Sequence, residues 1–390
     1  MYLKQLEICN IRNLKDISLS LSPGISVITG NNGEGKTSIL ESIFLLSHAR
    51  SFRTSSLKEV VSHISSDSSF VKGEVESSLG NIELSVSIEK KNNPGGKRYF
   101  NVNNKNVRSA SEFCGRLKTV LFTPEDLELV KGGPVIRRQF IDRVLVMLEP
   151  SFLIDLSEYT KIVKSRNRLL IDGDFKSAIL FNEPLLVKNI KIAEKRLSLV
   201  LAITERVSDL YKEISGSQSE HISISYRSSF VEKGGELCSL EKAREIMSSS
   251  IQKDMAHKRT CVGIHRDDVP LSFKSAFTQG LSRVVSSQGQ VRLIALCCKL
   301  ASAELISART GERPVLLLDD VDAELDQGRS LRLYSVLMKY PGQILLTGTE
   351  PPLIFNKPPK KTGEISDDIY RQDTSFFRLD SGALTELIKN

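Results

Sequence analysis

The sequence predicts an α/β fold in which one parallel sheet is assembled from both ends of the chain. Near the N-terminus, residues 25–29 form a short β-branched run followed by a glycine-rich loop and a helical pattern. Near the C-terminus, residues 315–318 are purely apolar, as in a central parallel strand covered on both faces. The fold is therefore expected to be split in sequence, with an antiparallel β-subdomain and a short helical lobe inserted.

The length of 390 residues is too great for one ordinary hydrophobic core. We expect three parts: residues 1–120 with the first half of the parallel fold and the β-subdomain, 121–260 as the helical lobe, and 261–390 as the second half. In the first part, Ile17, Leu19 and Leu21 alternate with polar residues, and residues 70–108 continue that period. Dense turn chemistry marks residues 92–96.

The helical lobe is predicted from a change of period between residues 149 and 214. Its apolar face comprises Val187, Ile190, Ala193, Leu197, Val200, Leu201, Leu210 and Ile214. Further on, residues 351–366 are rich in proline, lysine and glycine, which favours an exposed loop, and residues 376–379 are predicted as a short final strand.

The composition excludes several classes of protein. Forty per cent hydrophobic and 26% charged residues describe a soluble globular chain, and no apolar run approaches the roughly 20 residues of a membrane span. The first ten residues show no secretory signal, so a cytoplasmic location is expected. The six cysteines form no CxxC pair, which favours buried thiols over a zinc site. A net charge of +7 suits a polyanionic partner but does not by itself decide for one.

Residues 30–37 read GNNGEGKT, the phosphate-loop pattern in its usual position between a strand and a helix. Such a loop turns backbone amides toward the β- and γ-phosphates, its lysine adds a positive charge, and its threonine ligates magnesium. A glycine turn with an incidental lysine is the alternative. The pattern predicts ATP and Mg²⁺ as cofactors and these nucleotide-binding residues: Gly30, Asn31, Asn32, Gly33, Glu34, Gly35, Lys36, Thr37 and Ser38.

Asp319 and Asp320 follow the apolar run of residues 315–318. A carboxylate delivered by an apolar strand is the usual partner of a phosphate loop, so Asp319 and Thr37 are the expected magnesium ligands. Lys36 and Asp320 are the expected catalytic residues, with Asp320 as general base for the attacking water. Aspartate is one methylene shorter than the glutamate of transporter cassettes, so slow hydrolysis is expected. Two aspartates that merely end a strand are the alternative.

Residues 286–290 read SSQGQ and open a helix, in which respect they resemble the signature of ATP-binding cassettes. The amides of Ser287 and Gly289 at a helix N-terminus would suit a γ-phosphate, and Gln290 is included in the predicted site. In cassette dimers that phosphate belongs to the opposite subunit. Residues 324–326 resemble the D-loop of such dimers, and a plain surface loop is an equal alternative.

Segments spread over nearly the whole chain resemble the bacterial RecF recombination-repair family. They are residues 10–14 (NIRNL), the phosphate loop, 51–54 (SFRT), 122–127 (FTPEDL), 137–142 (RRQFID), 166–170 (RNRLL), 263–268 (GIHRDD), 287–290 (SQGQ) and 317–320 (LLDD).

The resemblance implies an ATP-binding-cassette head related to the structural-maintenance-of-chromosomes (SMC) ATPases, with a short helical arm in place of a long coiled coil. It also implies an ATP-dependent homodimer, weak DNA-dependent ATPase activity, and binding at gaps and junctions of single- and double-stranded DNA. RecR and RecO are implied as partners in loading recombinase, for DNA repair, recombination and replication-fork maintenance in the SOS response. The implied location is the cytoplasm, at the nucleoid.

Two positions depart from the family pattern. Ile264 stands where a proline is expected, which we interpret as a local backbone change without chemical consequence. Residues Thr347, Gly348 and Thr349 stand where transporter cassettes have a histidine that senses the γ-phosphate, and a threonine hydroxyl is a possible substitute.

Further residues keep two interpretations each. Arg12 either approaches nucleotide or DNA or is solvated. Residues 265–268 (HRDD) form either a metal cluster or, as we favour, an internal polar network. The arm cations either follow a DNA backbone or form a solvated face; they are Lys161, Lys164, Arg166, Arg168, Lys188, Lys191, Lys195 and Arg196.

Two other functions remain open. A transport-type ATPase subunit would need a membrane partner, and the missing histidine and the basic arm argue against it. An ATP-gated binding module with negligible hydrolysis would use nucleotide occupancy alone.

Overall fold

The computed structural model describes residues 1–56, 59–61, 68–89, 97–232, 234–352, 355, 373–380 and 382–389. The chain divides into two units. The first comprises Met1–Asp126, Glu213–Gly216 and Lys299–Asn390, and the second comprises Leu127–Lys212 and Ser217–Cys298. The limits 1–120, 121–260 and 261–390 stay a prediction.

The first unit contains an antiparallel sheet in the order β2-β1-β4-β5-β6-β7. Its strands are β1 (Tyr2–Ile11), β2 (Leu14–Ser20), β4 (Ser68–Ser77), β5 (Gly80–Glu89), β6 (Lys97–Val102) and β7 (Lys105–Val107). The predicted alternation is present at Leu84, Val86 and Ile88, which are at most 1% exposed while Glu83, Ser87 and Glu89 are half-buried, although Ser85 is also buried. Sequence reasoning did not place β1 and β2 in this sheet. The turn predicted at residues 92–96 lies outside the described residues.

The second sheet of the first unit has the order β15-β14-β3-β13-β12-β8. Its strands are β3 (Ile25–Thr29), β8 (Thr119–Phe122), β12 (Val315–Asp319), β13 (Ile344–Gly348), β14 (Thr374–Asp380) and β15 (Ala383–Lys389). Strand β12 pairs in parallel with β8 and β13, and β3 pairs in parallel with β13 and β14. All five residues of β12 are buried. The parallel fold split in sequence is thereby confirmed.

The C-terminal segment differs from the prediction in one respect. Residues 376–379 lie in β14, but β14 is not the final strand: β15 turns back at Gly382 (φ 78°) and pairs antiparallel with β14. Strand β15 is an edge strand whose residues 385–387 are all exposed. Its sequence therefore shows little alternation of apolar and polar residues, and the strand could not be predicted from hydrophobicity. The loop predicted at residues 351–366 falls mostly outside the described residues.

The α-helices of the first unit whose first and last residues are both described are α1 (Lys36–His48), α2 (Ala110–Phe113) and α12 (Gln327–Lys339). Helix α1 is almost completely buried. All six cysteines of the chain lie in described residues as free thiols, four of them buried.

The second unit is mainly helical and has a three-stranded sheet. Its helices are α3 (Glu128–Lys131), α4 (Pro134–Leu148), α5 (Phe152–Asp172), α6 (Phe175–Ile179), α7 (Asn182–Ser215), α8 (Leu240–Ser249), α9 (Ile251–His257), α10 (Ser282–Val285) and α11 (Gln288–Thr310), and its strands are β9 (His221–Ile224), β10 (Leu271–Lys274) and β11 (Gln279–Leu281). The last residues of α7 and of α11 belong to the first unit. None of the helices in the described part of the chain could span a membrane.

The predicted helical period is present in α7, but its buried face is not purely apolar. Val187 and Leu201, which were expected in the core, are 56% and 65% exposed. Two polar residues, Asn189 and Arg196, are buried instead, at 0% and 2% exposure. A helix face predicted from apolar residues alone differs in orientation from the true buried face when that face also contains hydrogen-bonded polar residues.

A buried polar network around residues 263–268 satisfies these groups. Asn189 accepts from the Ile264 N–H at 3.0 Å, and Arg196 donates to Asp142 at 2.8 and 2.9 Å and to the Ile264 carbonyl at 2.7 Å. The Tyr226 hydroxyl bonds to Asp267, and burial lowers the pKa of His265. Among the described residues no cluster could hold a metal.

These contacts settle two sequence interpretations. The internal network is confirmed for His265, Asp267 and Asp268, whereas the Arg266 side chain is exposed. The expectation that Ile264 has no chemical consequence is wrong, because its N–H is the donor to Asn189 and a proline has no N–H to donate.

A second buried contact joins α5 to α9 within the same unit. Arg166 and Asp254, each 1% exposed, form an ion pair of 2.7 Å, and Arg166 also donates to the Thr260 hydroxyl at 2.9 Å. Asp254 accepts from the Cys261 N–H at 2.8 Å. A buried charge pair of this kind is most sensitive to the loss of one partner.

We therefore predict that Arg166→Met lowers the free energy of unfolding by about 3–5 kcal/mol, because it leaves the Asp254 carboxylate buried without a cation. Arg166→Met with Asp254→Asn should recover much of that loss, since the amide oxygen still accepts from Cys261 without a buried charge. Urea denaturation followed by circular dichroism measures both. The exposed pair Lys242–Glu232 provides the control, and Lys242→Gln should leave the urea midpoint close to that of wild type. A double variant less stable than Arg166→Met would contradict the explanation.

Candidate nucleotide-binding site

The loop between β3 and α1 has the backbone conformation that a phosphate-binding turn requires. Gly33 and Gly35 have φ of 87° and 111°, in the left-handed region, and α1 begins directly after Gly35. A Cβ atom on Gly30 would lie 2.4 Å from the carbonyl oxygen of Leu379. The loop therefore opens onto a helix N-terminus whose amides suit an anion.

Lys36 is folded back over this loop. It is 6% exposed, and its Nζ donates to the carbonyls of Gly30 and Asn31 at 2.7 and 2.9 Å. An ammonium group carries three donors, so the lysine braces the loop and retains one donor for a ligand.

Asp319 lies at the carboxyl end of β12 and accepts two hydroxyl hydrogen bonds. Thr37 Oγ1 donates to Asp319 Oδ2 at 2.8 Å, and the Thr347 hydroxyl at the end of β13 donates to Oδ1. Parallel neighbouring strands bring these groups to one edge of the sheet. A hydroxyl and a carboxylate are oxygen ligands of the kind that Mg²⁺ prefers, so the donor set fits that ion.

Thr347 has a different position from the one suggested by the sequence. Its hydroxyl is used by Asp319, and its side chain is 5% exposed. In this structure Thr347 orients the Asp319 carboxylate, and a role of the Thr349 hydroxyl in place of the histidine stays a prediction.

Asp320 is held in the left-handed region with φ of 45°, and its N–H donates to the Thr347 carbonyl at 3.0 Å. A non-glycine residue there is held by its surroundings against a conformational penalty. Its side chain lines a cavity of about 450 Å³ next to the phosphate loop. This placement suits a group that acts on a ligand.

The cavity brings together most of the predicted residues of the first unit. Its lining includes Asn32, Gly33, Gly35, Lys36, Thr37, Ser38 and Asp320. Gly30, Asn31, Glu34 and Asp319 do not line it; Gly30 and Asn31 bind Lys36, and Asp319 binds Thr37.

Two arginines in the lining were outside the predicted set of site residues, although for Arg12 an approach to nucleotide or DNA had been one of two interpretations. Arg12 binds Glu41 through two contacts of 2.9 and 3.0 Å, and Arg53 lies 3.8 Å from the same carboxylate. Glu41 is completely buried, and it also accepts from Ser51. Arg12 is therefore neither simply solvated nor free, since it is held at the cavity by Glu41. The sequence did contain one indication of this contact: Glu41 is a single acidic residue within the apolar run of helix α1, and a buried carboxylate requires a cationic partner.

Asn13 is the third unpredicted lining residue. Its Nδ2 donates to the Gly33 carbonyl at 2.8 Å, and its Oδ1 accepts from Ser38 at 3.3 Å. It thereby fixes the tip of the phosphate loop to the start of α1. In a single sequence, nothing about an asparagine in a loop predicts that it will bind the phosphate loop.

The signature-like residues belong to the second unit and form a capping box at the start of α11. Ser287 Oγ accepts from the Gln290 N–H at 3.4 Å, and Gln290 Oε1 accepts from the Ser287 N–H at 2.8 Å. Gln290 also donates to Glu220 at 3.1 Å. The expectation for the Ser287 amide is corrected, because that amide is already paired. The amides of Gln288 and Gly289 are the ones left at this helix end.

The segment that resembles a D-loop precedes α12. Asp326 caps the helix by accepting from the Arg329 N–H at 2.9 Å, and Glu324 has φ of 65°. Both interpretations of this segment, interface or surface loop, stay predictions.

Comparison with known proteins gives a consistent result. Residues 2–356 match the model of the RecF/RecN/SMC N-terminal domain. The DNA replication and repair protein RecF of Ligilactobacillus salivarius (strain UCC118) is 34% identical over 99% of this chain and 98% of its own, and that of Streptococcus pyogenes serotype M4 is 35% identical over 90% and 92%.

Solved structures agree. The recombination mediator protein RecF-ATP in the RecFOR pathway has a TM-score of 0.82 and 31% identity over 99% of this chain and 98% of its own. The SMC head domain from Pyrococcus furiosus shares the fold, with a TM-score of 0.57 at 15% identity, over 100% of this chain and 96% of that one. With a phosphate loop joined to Asp319 and a matching family model over most of its length, the chain belongs to the RecF family.

Proposed function

We propose that this protein is an ATP-dependent DNA-binding protein of recombinational repair and replication-fork maintenance. The observation that carries the proposal is the hydrogen bond between Thr37, which lines the cavity, and Asp319, because it joins the phosphate loop to the carboxylate at the end of β12. Family membership adds the DNA-repair role named for its relatives.

In the proposed site, the loop amides and Lys36 bind the β- and γ-phosphates of ATP. Thr37 and Asp319 would hold Mg²⁺, which neutralises charge on these phosphates when bound. Asp320 orients and deprotonates the attacking water. Arg12 and Arg53 add positive charge at the cavity, balanced in part by Glu41.

Hydrolysis is proposed to be weak and dependent on DNA. The carboxylate of Asp320 is one methylene shorter than that of a glutamate, which supports slow turnover. Free energy from ATP is then used for a change of assembly.

We propose that two copies share each ATP, with the helix end at residues 287–290 of one copy facing the γ-phosphate bound by the other. The unpaired amides of Gln288 and Gly289 support this role, because a helix N-terminus is a ready anion site. The D-loop resemblance of residues 324–326 is consistent with the same dimer.

The dimer is proposed to load at gaps and junctions of single- and double-stranded DNA, with RecR and RecO as partners. A similar solved protein is described as a recombination mediator in the RecFOR pathway, which supports those partners. A protein with this role is expected in the cytoplasm, at the nucleoid. A transport-type subunit is not favoured, because the relatives are repair proteins over nearly their full length.

Lys36→Ala and Asp320→Asn are predicted to separate binding from turnover. Lys36→Ala should weaken ATP binding roughly 10- to 100-fold, because a charge-assisted contact to phosphate is lost. Asp320→Asn should bind ATP normally and hydrolyse it roughly 10²-fold more slowly, since the base is removed. Calorimetric titration and phosphate release measure the two quantities. Equal turnover, DNA loading and DNA release by wild type and Asp320→Asn would instead favour an ATP-gated module without functional hydrolysis.

Ser287→Arg is predicted to abolish the ATP-dependent dimer while leaving ATP binding by the monomer unchanged, because the added side chain blocks only the phosphate of the opposite copy. Sedimentation velocity with ATP and Mg²⁺, with and without gapped DNA, measures assembly. Ser248→Arg, at an exposed position of α8, is the matched control and should dimerise.

A mixture tests the shared site directly. Ser287→Arg and Lys36→Ala each fail alone, but a mixed pair contains one intact site, formed by the phosphate loop of the first and the signature of the second. Partial dimerisation of the mixture is expected. A wild-type protein that binds ATP and stays monomeric in every condition would overturn the shared-site mechanism.

A further inference from the structure

The excess positive charge of the chain is confined to one unit. The second unit contains 26 Lys and Arg against 19 Asp and Glu, whereas the first contains 28 of each. The net charge of +7 therefore belongs entirely to the second unit. A polyanion that is attracted by net charge would meet this unit first.

Many cations of this unit are already used inside it. Arg166 and Arg196 are buried in ion pairs. Lys188 and Lys191 bind Asp155, and Lys195 binds Glu149. The cations of α7 that seemed from the sequence to form a DNA-binding face thus hold the helices of the arm together.

Seven exposed cations remain on α5, on α9 and in the loop after α9. We name them the α5–α9 cationic face: Lys161, Lys164, Arg168, Lys253, Lys258, Arg259 and Arg266. Within the described residues, the only ion pair of this set is a long exposed contact of 4.0 Å between Arg168 and Asp172.

The fold brings the two rows of this face together. At about 100° per residue, Lys161, Lys164 and Arg168 lie on one side of α5, away from the buried Tyr159 and Leu170. Asn167, next to that side, accepts from the N–H and the hydroxyl of Thr260 at 2.7 and 2.8 Å.

Two more contacts fix the loop that follows α9. The Arg166–Asp254 pair holds α9 against α5, and Tyr159 bonds to His265 at 2.6 Å. A Cβ atom on Gly263 would lie 2.5 Å from the Tyr159 hydroxyl, so the loop lies directly against α5. The exposed cations of α5 lie on one side of this contact between α5 and the loop, and the exposed cations of α9 and the loop lie on the other.

We infer that the α5–α9 cationic face binds the phosphate backbone of duplex DNA. The aromatic side chains within residues 152–172 and 251–266, apart from the half-buried His265 and the exposed His257, are Phe152 and Tyr159, and both are buried. The face therefore offers charge without a platform for base stacking, which suits a duplex better than a single strand.

Helix stabilisation does not account for the whole set. His257 and Lys258 at the end of α9 are favourable to the helix dipole, but Lys161 and Lys164 lie in the middle of α5 and Arg266 lies in a loop. This inference rests on the proposed DNA-binding function and specifies the surface that performs it.

The test compares two Lys/Arg pairs of the same unit. Lys258→Gln with Arg259→Gln removes two charges from the face, and Lys242→Gln with Arg244→Gln removes two from α8, where both are paired with glutamates. Fluorescence anisotropy of the full chain with a labelled blunt DNA duplex and ATP is measured over a range of KCl. The first variant should bind about tenfold more weakly, with a salt dependence reduced by about 2 in log–log slope, and the control should match wild type.

Other outcomes overturn the inference. Equal losses in both pairs would indicate a general effect of net charge, and an unchanged Lys258/Arg259 variant would exclude the face. A loss confined to single-stranded DNA of the same length would exclude the duplex assignment. The triple change of Lys161, Lys164 and Arg168 to glutamine should weaken duplex binding as well, and normal binding would exclude α5. A wild-type protein that binds ATP but no DNA would instead defeat the proposed function itself.

Discussion

The contact on which the site depends is the pair of hydroxyl hydrogen bonds to Asp319. Thr37 comes from the helix after β3, Thr347 from the end of β13, and Asp319 from the end of β12. Because the three strands are parallel neighbours, their carboxyl ends meet at one edge, and the carboxylate is oriented from two sides. The position of Asp320 follows, since it is the next residue and its N–H is bound by the Thr347 carbonyl.

A buried carboxylate plays a similar organising role on the other side of the cavity. Glu41 is fully buried in α1, and burial of an unpaired charge is strongly unfavourable. The Arg12 guanidinium and the Ser51 hydroxyl offset that penalty, and they hold two distant loops against the phosphate-loop helix. The positions of both loops therefore depend on the need of the buried Glu41 carboxylate for hydrogen-bonding partners.

The sequence predicted those features that depend on local periodicity. The strand, loop and helix around Lys36 and the apolar strand before Asp319 were of this kind. Features that depend on distant pairing were missed. Examples are the contact of Arg12 with Glu41, the edge strand β15, and the polar residues Asn189 and Arg196 on a buried helix face. A single sequence shows that a residue is charged but not which carboxylate it will meet, so Lys188, Lys191 and Lys195 of α7 seemed available although they are paired.

The pairing of β3 has a consequence for how the chain is made. Thr29 in β3 donates to the carbonyl of Phe377 in β14, 348 residues further along the chain, and β3 also pairs with β13. As the polypeptide leaves the ribosome, the strand that precedes the phosphate loop has neither neighbour until β13 and β14 have been synthesised. Contacts of such high sequence separation slow folding, and an unpaired apolar strand is exposed to aggregation meanwhile. Nucleotide binding is therefore a late event in biogenesis, and protection of the nascent N-terminal part by a chaperone fits this topology.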